Sequence, residues 1–242
     1  MSTQEQRQSS VPLGEDAPIL EVMATMRAMR RLKPDPVPRE LLERLVQAAT
    51  WAPSGGNEQN YEFVVVDDRA VMARLAELWK RSCDAYSAAM RDEAISRMGE
   101  EKALPLIRAL EFQRDHFAET PAVIVPCYSR RTPPQQAVKL MRGIGGPLDV
   151  ARFAARGSRM AALTEAASIY PGVQNLLLAA RALGLGANIT TWHMFLEHEW
   201  KRELGIPKGV NTYAVIPVGW PRGRFGPVTR RPAREAIHWD RW

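Results

Sequence analysis

Apolar and polar positions follow two rhythms along this chain, one helical and one of short β-branched runs. Between Pro18 and Arg31 (PILEVMATMRAMRR), Ile19, Val22, Met23, Met26 and Met29 or Arg30 recur at helical spacing. This predicts a first helix with Arg27, Arg30 and Arg31 near its end. The three prolines of KPDPVP, residues 33–38, cannot continue it, because they remove donors and push their neighbours toward extended backbone. A second helix is predicted from about Pro38 to Trp51, with Leu41, Leu42, Leu45, Val46 and Ala49 on one face and Glu40, Glu43 and Arg44 outside it.

Tyr61 to Val66 reads as a buried strand by its length and β-branched content, and Asp67-Asp68 ends it and can cap the next helix. Helical spacing resumes from Arg69 to about Phe117, with Leu75, Leu78, Trp79, Leu104, Ile107, Leu110 and Phe112 as apolar positions and with Gly99 and Pro105 as dividers. Pro121 to Tyr128 (PAVIVPCY) is a second buried strand. Residues 130–160 carry Gly143, Gly145, Gly146, Pro147 and Gly157 with little periodicity, which predicts a long loop of the functional or mobile kind. A helix from about Leu163 to Leu183 places Ala167, Tyr170, Val173, Leu176, Leu177 and Ala180 on one stripe, and Gly184 and Gly186 stop it. Ala187 to Thr191 is a short extended element, Glu197 to Leu204 a helix ended by Gly205-Ile206-Pro207, and Tyr213 to Gly219 (YAVIPVG) the last core strand.

Three buried strands with several helices between them predict one α+β domain of three layers over residues 18–242, after a disordered leader at 1–17. No internal repeat or interdomain linker is found. A GxGxxG after the first strand is absent, which removes the strongest nucleotide signal of the doubly wound class.

Composition narrows the setting. With 242 residues, 45% of them hydrophobic, the chain can bury a sizeable core, and no run of eighteen apolar residues or signal-peptide pattern occurs. The expectation is a cytoplasmic protein that does not enter a membrane. The net charge of +6 is concentrated beyond residue 221, at Arg222, Arg224, Arg230, Arg231, Arg234 and Arg241. Such a cluster can serve nucleic acid, a phosphorylated small molecule or merely a solvated face. Interleaved prolines, glycines and aromatics favour an ordered extension with one or two working arginines. Cys83 and Cys127 lie far apart in unlike contexts, which supports neither a disulfide nor a metal site, and His193 and His198 are wrongly spaced for two ligands on one helical face. His116 and His238 read as structural or surface residues.

The chain has no GxSxG, HExxH, CxxC or P-loop, so an enzyme reading must rest on a cofactor that brings its own reactivity. Four polar clusters could hold one: Arg27 with Arg30, the turn from Pro53 to Gln59, Asn188 with Thr190 and Thr191, and the segment around Arg230. In the turn, Pro53 fixes one φ angle, the glycines permit close approach, and Ser54, Asn57 and Gln59 supply donors and acceptors. Arginine forks suit a phosphate, and threonines suit the edge of a heteroaromatic ring. On composition a flavin enzyme, a non-catalytic flavin-binding protein and a nucleic-acid-binding protein all remain open.

The order of particular stretches goes further. MRAMRRLKPDPVP (Met26 to Pro38), WAPSGGNEQNYEFVVV (Trp51 to Val66), NLLLAARALGLGA (Asn175 to Ala187), ELGIP (Glu203 to Pro207) and VIPVGWP (Val215 to Pro221) resemble, in this order, the landmarks of the FMN-dependent nitroreductase family, which includes iodotyrosine deiodinase. The closing RRPAREAIHWDRW (Arg230 to Trp242) resembles the end of mycobacterial-type members. The likeness spans most of residues 20–242.

The resemblance implies a three-layer α/β/α fold with a mostly antiparallel central sheet, in an intertwined homodimer whose C-terminal extension, residues 220–242, packs on the partner. It implies FMN as cofactor, with two sites at the interface. Arg30 would lie near the pyrimidine edge, and Arg27 toward the ribityl-phosphate. Ala28 occupies the position of the family's serine, and Met26 that of its first arginine. Pro53, Ser54 and Gly55 would come from the other subunit, with Asn57 and Gln59 nearby. Thr190 and Thr191 would flank the reactive edge, and Arg230, with Arg231 as the weaker candidate, would hold the phosphate. The implied reaction is ping-pong: a reduced nicotinamide, NAD(P)H, or a deazaflavin delivers hydride, and a nitroaromatic, quinone or similar planar electrophile receives electrons. No side-chain acid is required and no nucleic acid is involved.

Overall fold

The computed structural model describes residues 13–14, 16–129 and 146–242. Two long strands set its frame, the one at Ala122–Ser129 buried at all but its last residue and the one at Tyr61–Val66 a half-exposed edge strand in which only Val66 is buried, in place of the buried strand its β-branched run predicts. Strand β1 (Tyr61–Val66) runs antiparallel to β2 (Ala122–Ser129), with Tyr61 opposite Tyr128 and Val66 opposite Val123. On its other side β2 pairs antiparallel with two short pieces, β4 (Val210–Thr212) and β5 (Ile216–Gly219). Between them Tyr213 N–H donates to Pro126 O at 3.0 Å, and the pairing breaks there. The single strand expected over residues 213–219 is therefore two, with β4 beginning earlier. Strand β3 (Gly186–Ala187) pairs antiparallel with β5, and Thr190 exchanges backbone bonds with Val215.

Alternation along β2 builds the layers. Ala122 and Ile124 face a core with Leu42, Leu45 and Ala49 of α2 (Arg39–Thr50) and Val173, Leu176 and Ala180 of α5 (Pro147–Ala182). Val123, Val125 and Cys127 face the opposite core, with Met72, Leu75 and Trp79 of α3 (Arg69–Met98) and Trp200 of α6 (Glu197–Glu203). The fold is thus α+β, a mostly antiparallel sheet between two helical layers. Helices α2 and α5 cross so closely that a Cβ at Gly172 would lie 2.8 Å from Ala49 O. Asp68 caps α3, accepting from the Ala70 and Val71 N–H groups at 2.9 Å each.

Three expectations need correction. The first helix, α1 (Ile19–Thr25), stops early, because Met29 N–H bonds to Ala187 O at 3.0 Å and Lys33 N–H to Trp220 O at 2.7 Å, drawing residues 26–33 onto the sheet edge. Arg27 and Arg30 therefore stand on an extended segment. Gly186 makes room for it, since a Cβ there would meet Met29 Cβ and Leu32 Cδ2 at 2.9 Å. Gly99 divides the long helical stretch at φ 80°, whereas Pro105 lies inside α4 (Glu100–Asp115) without ending it. The predicted loop is helical over its second half, since α5 begins at Pro147, a residue tolerated in the first helical turn; residues 130–145 lie outside the described residues. Of the expected leader, residues 1–12 and 15 lie outside the described residues, and Gly14 N–H bonds Ala182 O at 3.1 Å.

Beyond β5 the chain is extended and pinned at its start. Arg222 donates to Leu32 O at 2.9 Å, Val228 N–H to Ala24 O at 2.9 Å, and Phe225 is buried under the guanidinium of Arg181, 4.2 Å from its ring centre. Arg181 is itself buried and donates to Thr25 Oγ1 at 2.9 Å. From Thr229 onward every side chain is exposed, including Trp239 and Trp242.

Candidate functional site

The extended segment after α1 carries Arg30 to the wall of two adjoining cavities. The smaller, about 380 Å³, is lined by Arg30, Gln113 and Leu110 of α4, Tyr170 of α5, and the run Ile189-Thr190-Thr191-Trp192. The backbone of Thr190 is fixed by its two bonds to Val215, N–H to O at 3.1 Å and O to N–H at 2.8 Å. The larger cavity, about 490 Å³, shares Arg30, Leu110 and Trp192 and extends between α3 and α4.

The polar groups of the smaller cavity are only in part engaged among the described residues, the Tyr170 hydroxyl donating to Tyr213 O at 3.0 Å. Arg30 makes no hydrogen bond or ion pair among the described residues, and burial lowers its pKa from the ordinary value. Gln113 is buried and donates to Asn188 Oδ1 at 2.9 Å, which leaves Gln113 Oε1 and Asn188 Nδ2 buried without partners among the described residues. A half-buried guanidinium and the Gln113 side chain beside two threonines form a polar set suited to the edge of a planar ligand. The ring-edge half of an FMN site fits these residues.

The other expected residues are placed differently. Pro53, Ser54 and Gly55 line a separate cavity of about 510 Å³ against Met160, Leu163, Thr164, Ala167 and Ser168 of α5. Gly55 N–H donates to Ser168 Oγ at 3.1 Å, and Ser54 Oγ accepts from Gln59 N–H at 3.2 Å. Gly56, Asn57 and Gln59 have φ of 59°, 52° and 53°, so this turn holds two non-glycine residues in the left-handed region. Asn57 and Gln59 are exposed. Arg27 and Ala28 are exposed and line neither Arg30 cavity. Arg230 and Arg231 are exposed, and Arg230 donates only to its neighbour Thr229 O, at 2.8 Å, among the described residues. One chain thus brings together Arg30, Thr190 and Thr191 but not the turn or the tail arginines.

Three cavity residues are not singled out by the sequence pattern. Gln113 is a buried polar residue in an apolar helix, Trp192 directly follows the threonine pair, and Tyr170 reads as part of the apolar stripe of its helix. Leu104, Ile107, Leu110 and Phe112, expected as core, are only half-buried, and Ile107 and Leu110 serve as cavity wall. Trp192 stacks on Trp79 with ring centres 5.8 Å apart and meets Tyr86 at 4.0 Å with the two rings tilted by 32°.

The remaining candidates for chemistry are silent. Burial pushes the thiols of Cys83 and Cys127 up to about 12, so neither is a nucleophile at neutral pH. His193 is buried, bonded through Nε2 to Thr212 Oγ1 at 3.0 Å, and burial lowers its pKa to about 4. Among the described residues no group of His, Cys, Asp and Glu could hold a metal ion, and no helix is long and apolar enough to cross a membrane.

Comparison with known proteins bears on the whole domain. Residues 23–220 match the model of the Nitroreductase family. The chain is 29% identical over 215 residues to a protein named NADH dehydrogenase from Thermus thermophilus, spanning 88% of this chain and 91% of that one. It is 28% identical over 217 residues to 5,6-dimethylbenzimidazole synthase from Rhodospirillum rubrum, covering 85% and 87% of the two chains. The crystal structure of oxidized iodotyrosine deiodinase bound to FMN and 3-iodo-L-tyrosine superposes with a TM-score of 0.66 at 18% identity, covering 93% of this chain and all (100%) of that one.

Proposed function

Since the chain belongs to the nitroreductase family and is an oxidoreductase of that kind, we propose that FMN is its cofactor and that a planar electrophile is its electron acceptor. The observation that carries this reading is the half-buried guanidinium of Arg30, without a partner among the described residues, beside Gln113, Thr190 and Thr191. FMN, if held beside Arg30, Thr190 and Thr191, would supply the two-electron redox chemistry that the side chains lack. Arg30 presents a half-buried positive charge, less screened by water than one on the open surface, so negative charge that develops in the cavity is stabilised. The paired backbone of Thr190 with Val215 fixes two hydroxyl-bearing residues at the cavity edge. Trp192 and Tyr86 give an aromatic wall against which a planar molecule can pack.

The proposal extends to the assembly. The chain acts as a homodimer, in which Pro53, Ser54 and Gly55, with Asn57 and Gln59 beside them, reach the partner's flavin, and Arg27, Arg230 and Arg231 serve the phosphate end. Exposed Leu163 and Met160 next to the turn, and Trp239 and Trp242 on the tail, are apolar surface that such an interface would cover. Donor and acceptor use the same cavity in turn, which is the ping-pong scheme; the donor is a reduced nicotinamide or a deazaflavin, and the acceptor a nitroaromatic or quinone. The setting is the cytoplasm.

The test is the visible spectrum of the purified protein. Flavin bands that bleach anaerobically on addition of NADH, NADPH or a reduced deazaflavin, and return with a quinone, are the expected result. Protein that retains no flavin after incubation with excess FMN would refute the reading.

A further inference from the structure

The larger cavity has apolar walls and a one-sided charge. Leu106, Ile107 and Leu110 of α4 face Tyr86 and Trp192 across a space of about 490 Å³. Besides Arg30, three arginines line it, Arg91, Arg97 and Arg114, against one acid, Glu111. Arg114 is already engaged by Asp115 at 2.7 Å and Asp84 at 3.4 Å, and Arg91 reaches Glu111 at 3.6 Å. Arg97 has no acidic partner among the described residues, so the cavity keeps uncompensated positive charge at a place distinct from Arg30.

From this asymmetry we infer that the electron acceptor is a planar acid, whose aromatic body packs between the α4 wall and the Tyr86–Trp192 pair while its carboxylate meets Arg97 and Arg91. The inference rests on the oxidoreductase reading and names the substrate class of that site. A guanidinium fork matches the two oxygens of a carboxylate, and the aromatic body replaces water on an apolar surface. Arg91 and Arg97 are both exposed, so the attraction is screened by salt and moderate in size. It selects between acceptors rather than creating the site.

The test measures binding, which needs no turnover. Full-length protein as purified is titrated calorimetrically with 2-naphthoate and with its neutral isostere 2-naphthamide, at low and high salt. The acid is expected to bind tighter than the amide by about fivefold at low salt, an advantage that shrinks as salt rises. The double substitution Arg91→Gln with Arg97→Gln is expected to bring the acid down to the level of the amide and to leave the amide unchanged, which also shows that the cavity is intact. Equal binding of acid and amide by the wild-type protein overturns the inference, as does an acid preference that survives the double substitution. The flavin spectrum of the same sample is read separately. Protein that prefers the acid but stays colourless after incubation with excess FMN refutes the flavin reading and upholds the anion selectivity; yellow protein without the preference does the reverse.

Discussion

The Arg30 cavity and the Pro53–Gln59 turn are both polar, yet they are finished to different degrees. Around Arg30 the chain supplies walls from α4, α5 and the Thr190–Trp192 run, and holds buried polar atoms that want a ligand. The turn is also fixed, by Ser54 and Ser168 and by left-handed backbone at Asn57 and Gln59, but it presents itself outward from an open surface beside exposed Leu163. Backbone strain maintained on an exposed segment suggests a use outside the chain's own fold. The contrast separates what one subunit completes from what, on the proposed reading, a second subunit completes.

Substitutions can break that contrast. The largest effect is expected from Leu163→Glu beside the turn, which would bury a charge in the proposed interface. Light scattering should show monomer in place of dimer, with flavin retention down on the order of a hundredfold. A dimer that survives with its flavin would mean that the turn looks only to solvent. Arg30→Ala works on the other region, and should leave the dimer intact while weakening FMN binding by roughly ten- to a hundredfold, as read by equilibrium dialysis, because a charge-assisted contact is worth about 1.5–3 kcal/mol.

A third effect belongs to the scaffold behind the cavity. His193 is neutral in the fold, with a pKa near 4 against an ordinary 6.5, so the unfolded chain binds the proton first as pH falls. Stability should therefore decline between about pH 6.5 and 4, by roughly 3 kcal/mol in urea titrations, and flatten below. His193→Asn should remove that slope and leave the steeper acid unfolding of the carboxylates. The smallest effect is expected at the tail: Arg230→Ala should weaken FMN binding about fivefold, with a reduced salt dependence, since its guanidinium is exposed. Unchanged affinity would remove it from the phosphate.

The same contrast marks what could be read from the sequence. Strand β1 was legible at both ends, because a β-branched run stops at Asp67-Asp68 and Asp68 caps the next helix. The clustering of Arg30 with Thr190 and Thr191 was legible only through the family resemblance, since nothing local links residues so far apart. The extended course of residues 26–33 was hidden because backbone bonds to Ala187 and Trp220 override a helical pattern that is regular on its own. The first turns of α5 were hidden by glycines and by Pro147, which reads as a breaker although it is acceptable at a helix start. Gln113 and Trp192 carried a faint signal, a polar residue among apolar helix positions and a large ring directly after two threonines.

The buried guanidinium of Arg181 has a consequence for where this polypeptide can be cut. It is covered on one side by the ring of Phe225 and tied on the other to Thr25, so the first residues past the last strand belong to the core. A stop codon before Phe225 would remove that ring and open the apolar surface beneath it to water, and such a fragment should be poorly soluble. One placed after Val228, whose N–H makes the last bond to α1, removes only exposed residues and should yield a well-folded shortened chain. The border between sequence the subunit's fold requires and sequence reserved for the proposed flavin and partner contacts therefore falls within a few positions, and a nested set of truncations would locate it.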